Sequence, residues 1–168
     1  MMRKLLLAAA AALMAQAACA APPNDADRVA LEKLAADLDA VWDSGDPAAV
    51  PAPYPAAASL RMGSFPVVQG RDAVQRYFVE TIGRRPAGAR HVTRVENIDM
   101  LTPDLALVDT RASIERDGAQ GSREVLAEFH NQTLALRQGD AWRFRAVRAQ
   151  RMAVPSRAAA PVQQGGKR

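Results

Sequence analysis

Apolar residues recur near the start of the chain at steps of three and four: Val29, Leu31, Leu34, Leu38, Val41 and Trp42. That spacing gathers them on one face of a helix, with polar residues on the other. Asn24 or Asp25 can cap its start, and Gly45 can take the left-handed conformation that stops it. Asp46-Pro47 then reads as a second helix start, an N-cap followed by proline at the first helical position. Pro51, Pro53 and Pro55 limit that helix to about one turn. Residues 59–63 suit a strand, with a hairpin arm at Val67-Val68. Residues 71–82 return to the helical period and place Val74, Tyr77, Phe78 and Ile82 on one side.

From there the period is two. Residues 91–100, 105–115, 123–137 and 141–152 read as strands. Pro103-Asp104 turns the first pair, and Asp117-Gly118 and Gly139-Asp140 suit hairpin connections. Helices first and a long meander after them predict an α+β fold, with the N-terminal helices packed in a curved, mostly antiparallel sheet. Neither βαβ alternation nor a GxGxxG or P-loop pattern is present, which argues against a dinucleotide-binding or P-loop domain.

The two ends read differently. Arg3 and Lys4 precede an apolar run over residues 5–15, and Ala18-Cys19-Ala20 matches a cleavage site. Residues 1–20 are therefore expected to be a signal peptide, which makes the protein periplasmic or secreted. The run is too short for the ~20 residues of a membrane span. A lipoprotein reading competes, with Ala17-Ala18-Cys19 presenting Cys19 for acylation, although Gln16 stands where an aliphatic residue is usual. Residues 155–168 lack periodic apolar positions and are expected to form a disordered tail. That leaves one folded domain over residues 25–154.

Composition changes the picture little. The formal net charge of +4 falls to +2 once Arg3 and Lys4 are removed with the leader. The remaining basic residues are scattered, without a Lys/Arg-rich run, and aromatics make up only 5% of the chain. Both facts argue against a nucleic-acid partner. Cys19 is the only cysteine, so the mature domain has neither thiol chemistry nor a disulfide. With two separated histidines and no such cysteine, the three or four converging ligands of a metal site are not expected. No residue pattern calls for a cofactor.

Several short motifs in order carry a resemblance: Trp42-Asp43-Ser44-Gly45-Asp46, Gly70-Arg71-Asp72-Ala73, Asp104-Leu105-Ala106-Leu107-Val108, Gln132-Thr133-Leu134-Ala135-Leu136 and Gly139-Asp140-Ala141-Trp142-Arg143-Phe144. Together they resemble the nuclear transport factor 2-like superfamily, and within it the SnoaL-like and SgcJ/EcaC-type proteins. One departure is Tyr54-Pro55-Ala56-Ala57-Ala58, where relatives usually carry an Asp before the strand. The resemblance implies a cone-shaped half-barrel with a pocket at its open end. It also implies a homodimer formed through the outer sheet face, where Val108 and Leu126 would give an apolar patch.

Laid on the steroid isomerases of the superfamily, the chain places Tyr77, Asp109, Arg111, Ser113, Gln132, Phe144, Arg148 and Gln150 on the inward side. The isomerase base falls on Met62, its tyrosine donor on Leu38 and its protonated acid on Gln132, which argues against that reaction. Tyr77, Arg111, Gln132, Phe144, Arg148 and Gln150 are then candidate ligand-binding residues.

Asp109 is the sharpest catalytic candidate because its strand is otherwise apolar. Burial there would raise its pKa unless Arg111 or Arg148 pairs with it. It reads as a general base or a ligand-orienting carboxylate, or else as half of a structural Asp–Arg pair or an Asp at a dimer face. His91 stands in Arg90-His91-Val92-Thr93-Arg94, which resembles a run that carries a pocket histidine in SnoaL-like and dehydratase relatives; otherwise it is a solvent-exposed strand-end histidine. His130 shares parity with Gln132 and reaches the pocket or its rim, or else is a polar residue at the sheet edge or a dimer face. The expected function is an exported pocket protein for a small apolar or amphipathic ligand. The alternative is a cofactor-independent lyase, isomerase or cyclase that uses a pocket Asp and His as acid and base.

Overall fold

The computed structural model describes residues 21–46 and 54–153. The expected signal peptide with Cys19, the helix start at Asp46-Pro47 beyond Asp46, and the C-terminal tail lie outside the described residues.

Helix α1 (Asp25–Ser44) begins at Asn24, whose side-chain oxygen accepts the Asp27 amide N–H at 2.8 Å. It ends at Gly45, where φ is +68° and the N–H donates to the Trp42 carbonyl. Arg85 closes this end from outside the helix, donating to the carbonyls of Trp42 and Asp43 at 2.8 and 2.7 Å. Its positive charge sits at the negative end of the helix dipole. The positive φ favours glycine at position 45, and a Cβ there would also push against the end of the Arg85 side chain.

Helix α2 (Arg71–Gly83) follows a short hairpin of β1 (Ser59–Met62) and β2 (Val68–Gln69). The long strands are β3 (Arg90–Thr102), β4 (Leu105–Asp117), β5 (Arg123–Gln138) and β6 (Ala141–Arg151). They form a six-stranded sheet in the order β2-β1-β6-β5-β4-β3. Strand β1 runs parallel to β6, and every other pairing is antiparallel. The fold is thus two helices packed against a curved, unclosed mixed sheet, as the change of period predicts.

Helix α1 lies along the concave side. Near its start Leu31 packs with Ile98, Val108 and Trp142. Leu34 and Leu38 meet the cluster of Tyr54, Leu60, Val74 and Phe144. At its end Trp42 packs with Ile82 and Ala89.

The inward register differs from the expected one on β4 and β5. Ala106, Val108, Thr110 and Ala112 are buried and face the helices, so Asp109, Arg111 and Ser113 face outward. On β5, Thr133 and Ala135 are buried inward, which turns His130 and Gln132 out. The cause is a two-sided apolar pattern: Leu107 pairs with Leu134, and Leu105 with Leu136, on the outer face opposite small inward residues. Large apolar side chains outside and Ala or Thr inside invert the usual cue. On β6 a bulge is responsible. Leu134 pairs with Ala146 and Ala135 with Phe144, which leaves Arg145 as the extra residue. Inward parity therefore passes from Trp142 and Phe144 to Val147 and Ala149, and Arg148 and Gln150 are turned out. Val108 belongs to the inner core and Leu126 packs against the Trp42 cluster, so neither forms an outer patch.

Candidate functional site

Between α1, α2 and the concave sheet lies a cavity of about 220 Å³. Leu38, Trp42, Leu60, Met62, Phe78 and Val147 give it a mainly apolar wall. A concave apolar space with a few convergent polar groups is the usual form of a small-ligand site.

The polar groups come from an unexpected partner, Asp39, on the turn before the last of α1. One of its oxygens lies 2.6 Å from His91 Nδ1 and accepts the Thr93 hydroxyl at 2.6 Å; the other accepts the Thr93 amide N–H at 2.7 Å. One turn later, Asp43 accepts the His91 amide N–H at 2.7 Å. Strand β3 is the sheet edge, so two of its free N–H groups are bound by two carboxylates of one helix. Spacing of four residues puts both carboxylates on the same side of α1.

This grip fixes the His91 ring. Its side chain is 19% exposed, that of Asp39 16%, and the ring tilts against Trp42 at a centroid distance of 5.6 Å. A carboxylate on Nδ1 holds the proton there in the neutral imidazole, leaving Nε2 as the acceptor. Asp39 also stabilises the imidazolium that forms when Nε2 takes a proton. His91 and Thr93 both line the cavity.

Deeper groups add hydrogen-bonding capacity. The Tyr54 hydroxyl is buried without a hydrogen-bond partner, as is the Asn131 side-chain carbonyl, whose amide donates to the Thr110 hydroxyl at 3.3 Å. Burial pushes the phenols of Tyr54 and Tyr77 above their usual range, so both stay protonated and can donate. All four side chains line the cavity.

Of the residues expected from sequence, His91, Tyr77 and Phe144 line this cavity, whereas Asp109, Arg111, Gln132, Arg148 and Gln150 do not. Asp109 pairs across the sheet with Asn97 and Gln132 on the outer face, and one of its oxygens is buried without a hydrogen-bond partner. Neither expected cation reaches it. Arg111 bonds Glu96 and Glu128, both at 2.8 Å, and Arg148 bonds the Ser59 hydroxyl. His130 lies 3.9 Å from Glu96 in the same outer network. Asp39, Tyr54, Thr110 and Asn131 were not among the expected site residues. The signal for Asp39 was its place four residues after Ala35 and three before Trp42, which puts a carboxylate on the apolar face of α1.

Met62 and Leu38 do line the cavity, so the isomerase base and tyrosine-donor positions hold a thioether and an alkyl chain. Among the described residues, no group of three or more His, Cys, Asp or Glu converges on one point, and no helix is long and apolar enough to cross a membrane.

Comparison with known proteins places this geometry. A protein of unknown function with a cystatin-like fold from Nostoc punctiforme superposes with a TM-score of 0.67 at 13% identity, covering 80% of this chain and 98% of that one. A ketosteroid isomerase-like protein from Erwinia carotovora atroseptica gives 0.60 at 14% identity, with coverage of 78% and 100%. A protein from Catenulispora acidiphila, solved in complex with S-DNPA, gives 0.63 at 16% identity, with coverage of 76% and 95%. At these identities the likeness is one of fold. Among curated proteins, none matches this sequence. The family model of the SnoaL-like domain matches residues 25–148, and the chain belongs to that family.

Proposed function

We propose that the cone binds a small, largely apolar molecule bearing at least one oxygen, and that His91, oriented by Asp39, moves a proton on it without a cofactor. The observation that carries this reading is the 2.6 Å contact between His91 Nδ1 and Asp39 where the histidine faces an apolar cavity. Proton abstraction next to a carbonyl, or loss of water from such a carbon, needs a base near neutral pH and a donor for the developing oxyanion. His91 Nε2 supplies the first. The Tyr54 hydroxyl, protonated and without an internal partner, supplies the second. The reaction class is then lyase, isomerase or cyclase, with the acidic partner at Asp39 in place of the expected Asp109. The Catenulispora structure of the same fold, solved in complex with S-DNPA, supports the binding half of the reading.

The test is exchange of α-protons of 2-tetralone in D2O, followed by NMR. Wild-type protein should accelerate exchange over buffer, and His91→Ala should remove the acceleration. Binding of tetralone without exchange would leave a binding pocket and remove the acid–base role.

Three further readings rest on sequence and surface pattern. Export to the periplasm, or beyond the cell, is supported by the Arg3-Lys4 start and the Ala18-Cys19-Ala20 site, with lipid at Cys19 as the alternative. SgcJ/EcaC-type membership is supported by the motif order alone. A homodimer is supported by the outer-face stripe of Leu105, Leu107, Leu134, Leu136 and Ala146, directly paired across β4, β5 and β6. Leu107→Glu should yield monomers by light scattering.

A further inference from the structure

The cone opens into a second hollow. It has a volume of about 410 Å³ and shares Leu60, Met62, Tyr77, Thr81 and Phe129 with the inner cavity. Its outer lip is apolar yet open to solvent: Phe65 is 71% exposed, beside Pro66 and Val68. A large aromatic side chain exposed on a cavity rim is a feature that a bound apolar chain would cover.

The two hollows differ in charge. The inner one carries His91 as its titratable imidazole among hydroxyls, amides and hydrocarbon. The charged residues lining the outer one are Arg84 and Arg151, and both are cations. Arg84 follows α2, and its contact with Glu80, at 3.7 Å between side chains 82% and 64% exposed, is a weak surface pair. Arg151 ends β6, continuing the inward parity of Val147 and Ala149 opposite Phe129. Its guanidinium has no hydrogen bond or ion pair among the described residues.

Resting on the reading that the cone binds a small molecule, we infer that its ligands are amphipathic carboxylic acids: the apolar body enters the cone and the carboxylate stays at Arg84 and Arg151. A guanidinium presents paired N–H donors that match the two oxygens of a carboxylate. The arrangement also sets direction. An acid held by its charged end at the lip presents the carbon chain, and any oxygen on it, to His91 and Tyr54. An uncharged molecule of the same length has no such preference for one end.

The probes are octanoate, 1-octanol and octylammonium at neutral pH, each titrated while the amide resonances of His91, Thr93 and Arg151 are followed by NMR. Octanoate should bind roughly fivefold more tightly than octanol, the size expected of partly exposed ion pairs, and octylammonium most weakly. Both arginines are exposed, so Arg84→Ala/Arg151→Ala should fold normally. In that variant the advantage of octanoate should vanish while octanol affinity stays unchanged. Arg151→Glu should reverse the order of the two ions. Equal binding of all three probes at the His91 and Thr93 resonances overturns this inference and leaves the cone as a ligand site. A preference for octanoate that survives the double variant overturns the assignment to these arginines. Shifts at none of the cavity resonances overturn both the inference and the binding reading beneath it.

Discussion

Helix α1 carries a buried or half-buried aspartate near each end, and the two are built for different purposes. Near the start, Asp27 is held by Arg137 and by the Trp142 indole N–H at 3.2 Å, and Asn24 donates to its second oxygen at 3.0 Å. Arg137 also stacks over the Trp142 ring at 4.5 Å. Every lone pair that matters has a donor, the counter-charge is permanent, and the helix dipole favours a negative charge there. Near the other end, Asp39 and Asp43 lie where the dipole disfavours them, with no basic residue in the last turn of α1. Their donors are backbone N–H groups, one hydroxyl and a histidine. An acidic residue placed against the dipole, gripping the group that borders a cavity, is a local cost of the kind found at functional sites.

The comparison breaks most visibly at His91. His91→Ala should reduce tetralone exchange by about a hundredfold or more, the usual contribution of a positioned acid–base group, while chemical denaturation shows little change. If both activity and stability fall together, the Asp39 end is structural like the Asp27 end. Asp39→Asn should act in the same direction at smaller size, roughly tenfold to a hundredfold, because the imidazolium loses its counter-charge. Its signature is a loss of exchange rate with tetralone binding retained, a split that a packing defect would not give.

Asp27 should respond in the opposite sense. Asp27→Ala leaves the Trp142 N–H and part of the Arg137 guanidinium without an acceptor, at a cost of about 2 kcal/mol in urea denaturation. Exchange per folded molecule should be unchanged. The pH dependence follows from the direction of its shift. Burial alone would raise the Asp27 carboxyl, but the hydrogen bonds from Arg137 and Trp142 and the charge of Arg137 outweigh it and hold the carboxyl below its usual range. A lowered carboxyl stabilises the fold in full above the unfolded value of ~3.9 and loses that contribution as the pH falls through the folded value. Stabilities of wild type and Asp27→Asn, measured from pH 7 downward, should therefore converge only below about pH 3.9. A constant gap across that range would show that the carboxylate's charge is not what stabilises this end.

How far these two ends were legible in the sequence differs for physical reasons. The elements follow from period and caps: Gly45 stops α1, and the change from a helical to a two-residue period marks where the sheet begins. His91 was legible because Arg90-His91-Val92-Thr93-Arg94 resembles a run that carries a pocket histidine, although position alone left a solvent-exposed strand-end histidine open. Asp109 was misread because Leu105, Leu107, Leu134 and Leu136 make the outer face as apolar as the inner one, so alternation alone cannot choose a side. Arg148 and Gln150 were misplaced by one bulge at Arg145, which no local signal announces. Asp39 went unseen because its importance lies in pairing with β3, across 52 residues of sequence, and one-dimensional pattern is blind to that.

The smallest effect on stability separates the two kinds of buried polar group most cleanly. Tyr54 is 3% exposed, stacked on Phe78 at 5.6 Å, and its hydroxyl has no hydrogen bond within the protein. Removing a satisfied group such as the Asp27 carboxylate costs stability; removing an unsatisfied one relieves a desolvation penalty already incurred. Tyr54→Phe should thus change unfolding free energy by no more than about 0.5 kcal/mol, or raise it slightly, because the ring packing is kept. Tetralone exchange should nevertheless fall severalfold, since the variant lacks a donor for the enolate oxygen. A clear loss of stability with exchange intact would mean that the hydroxyl serves the fold, and the cone would then have to stabilise a developing oxyanion through Asn131, the threonines or Tyr77.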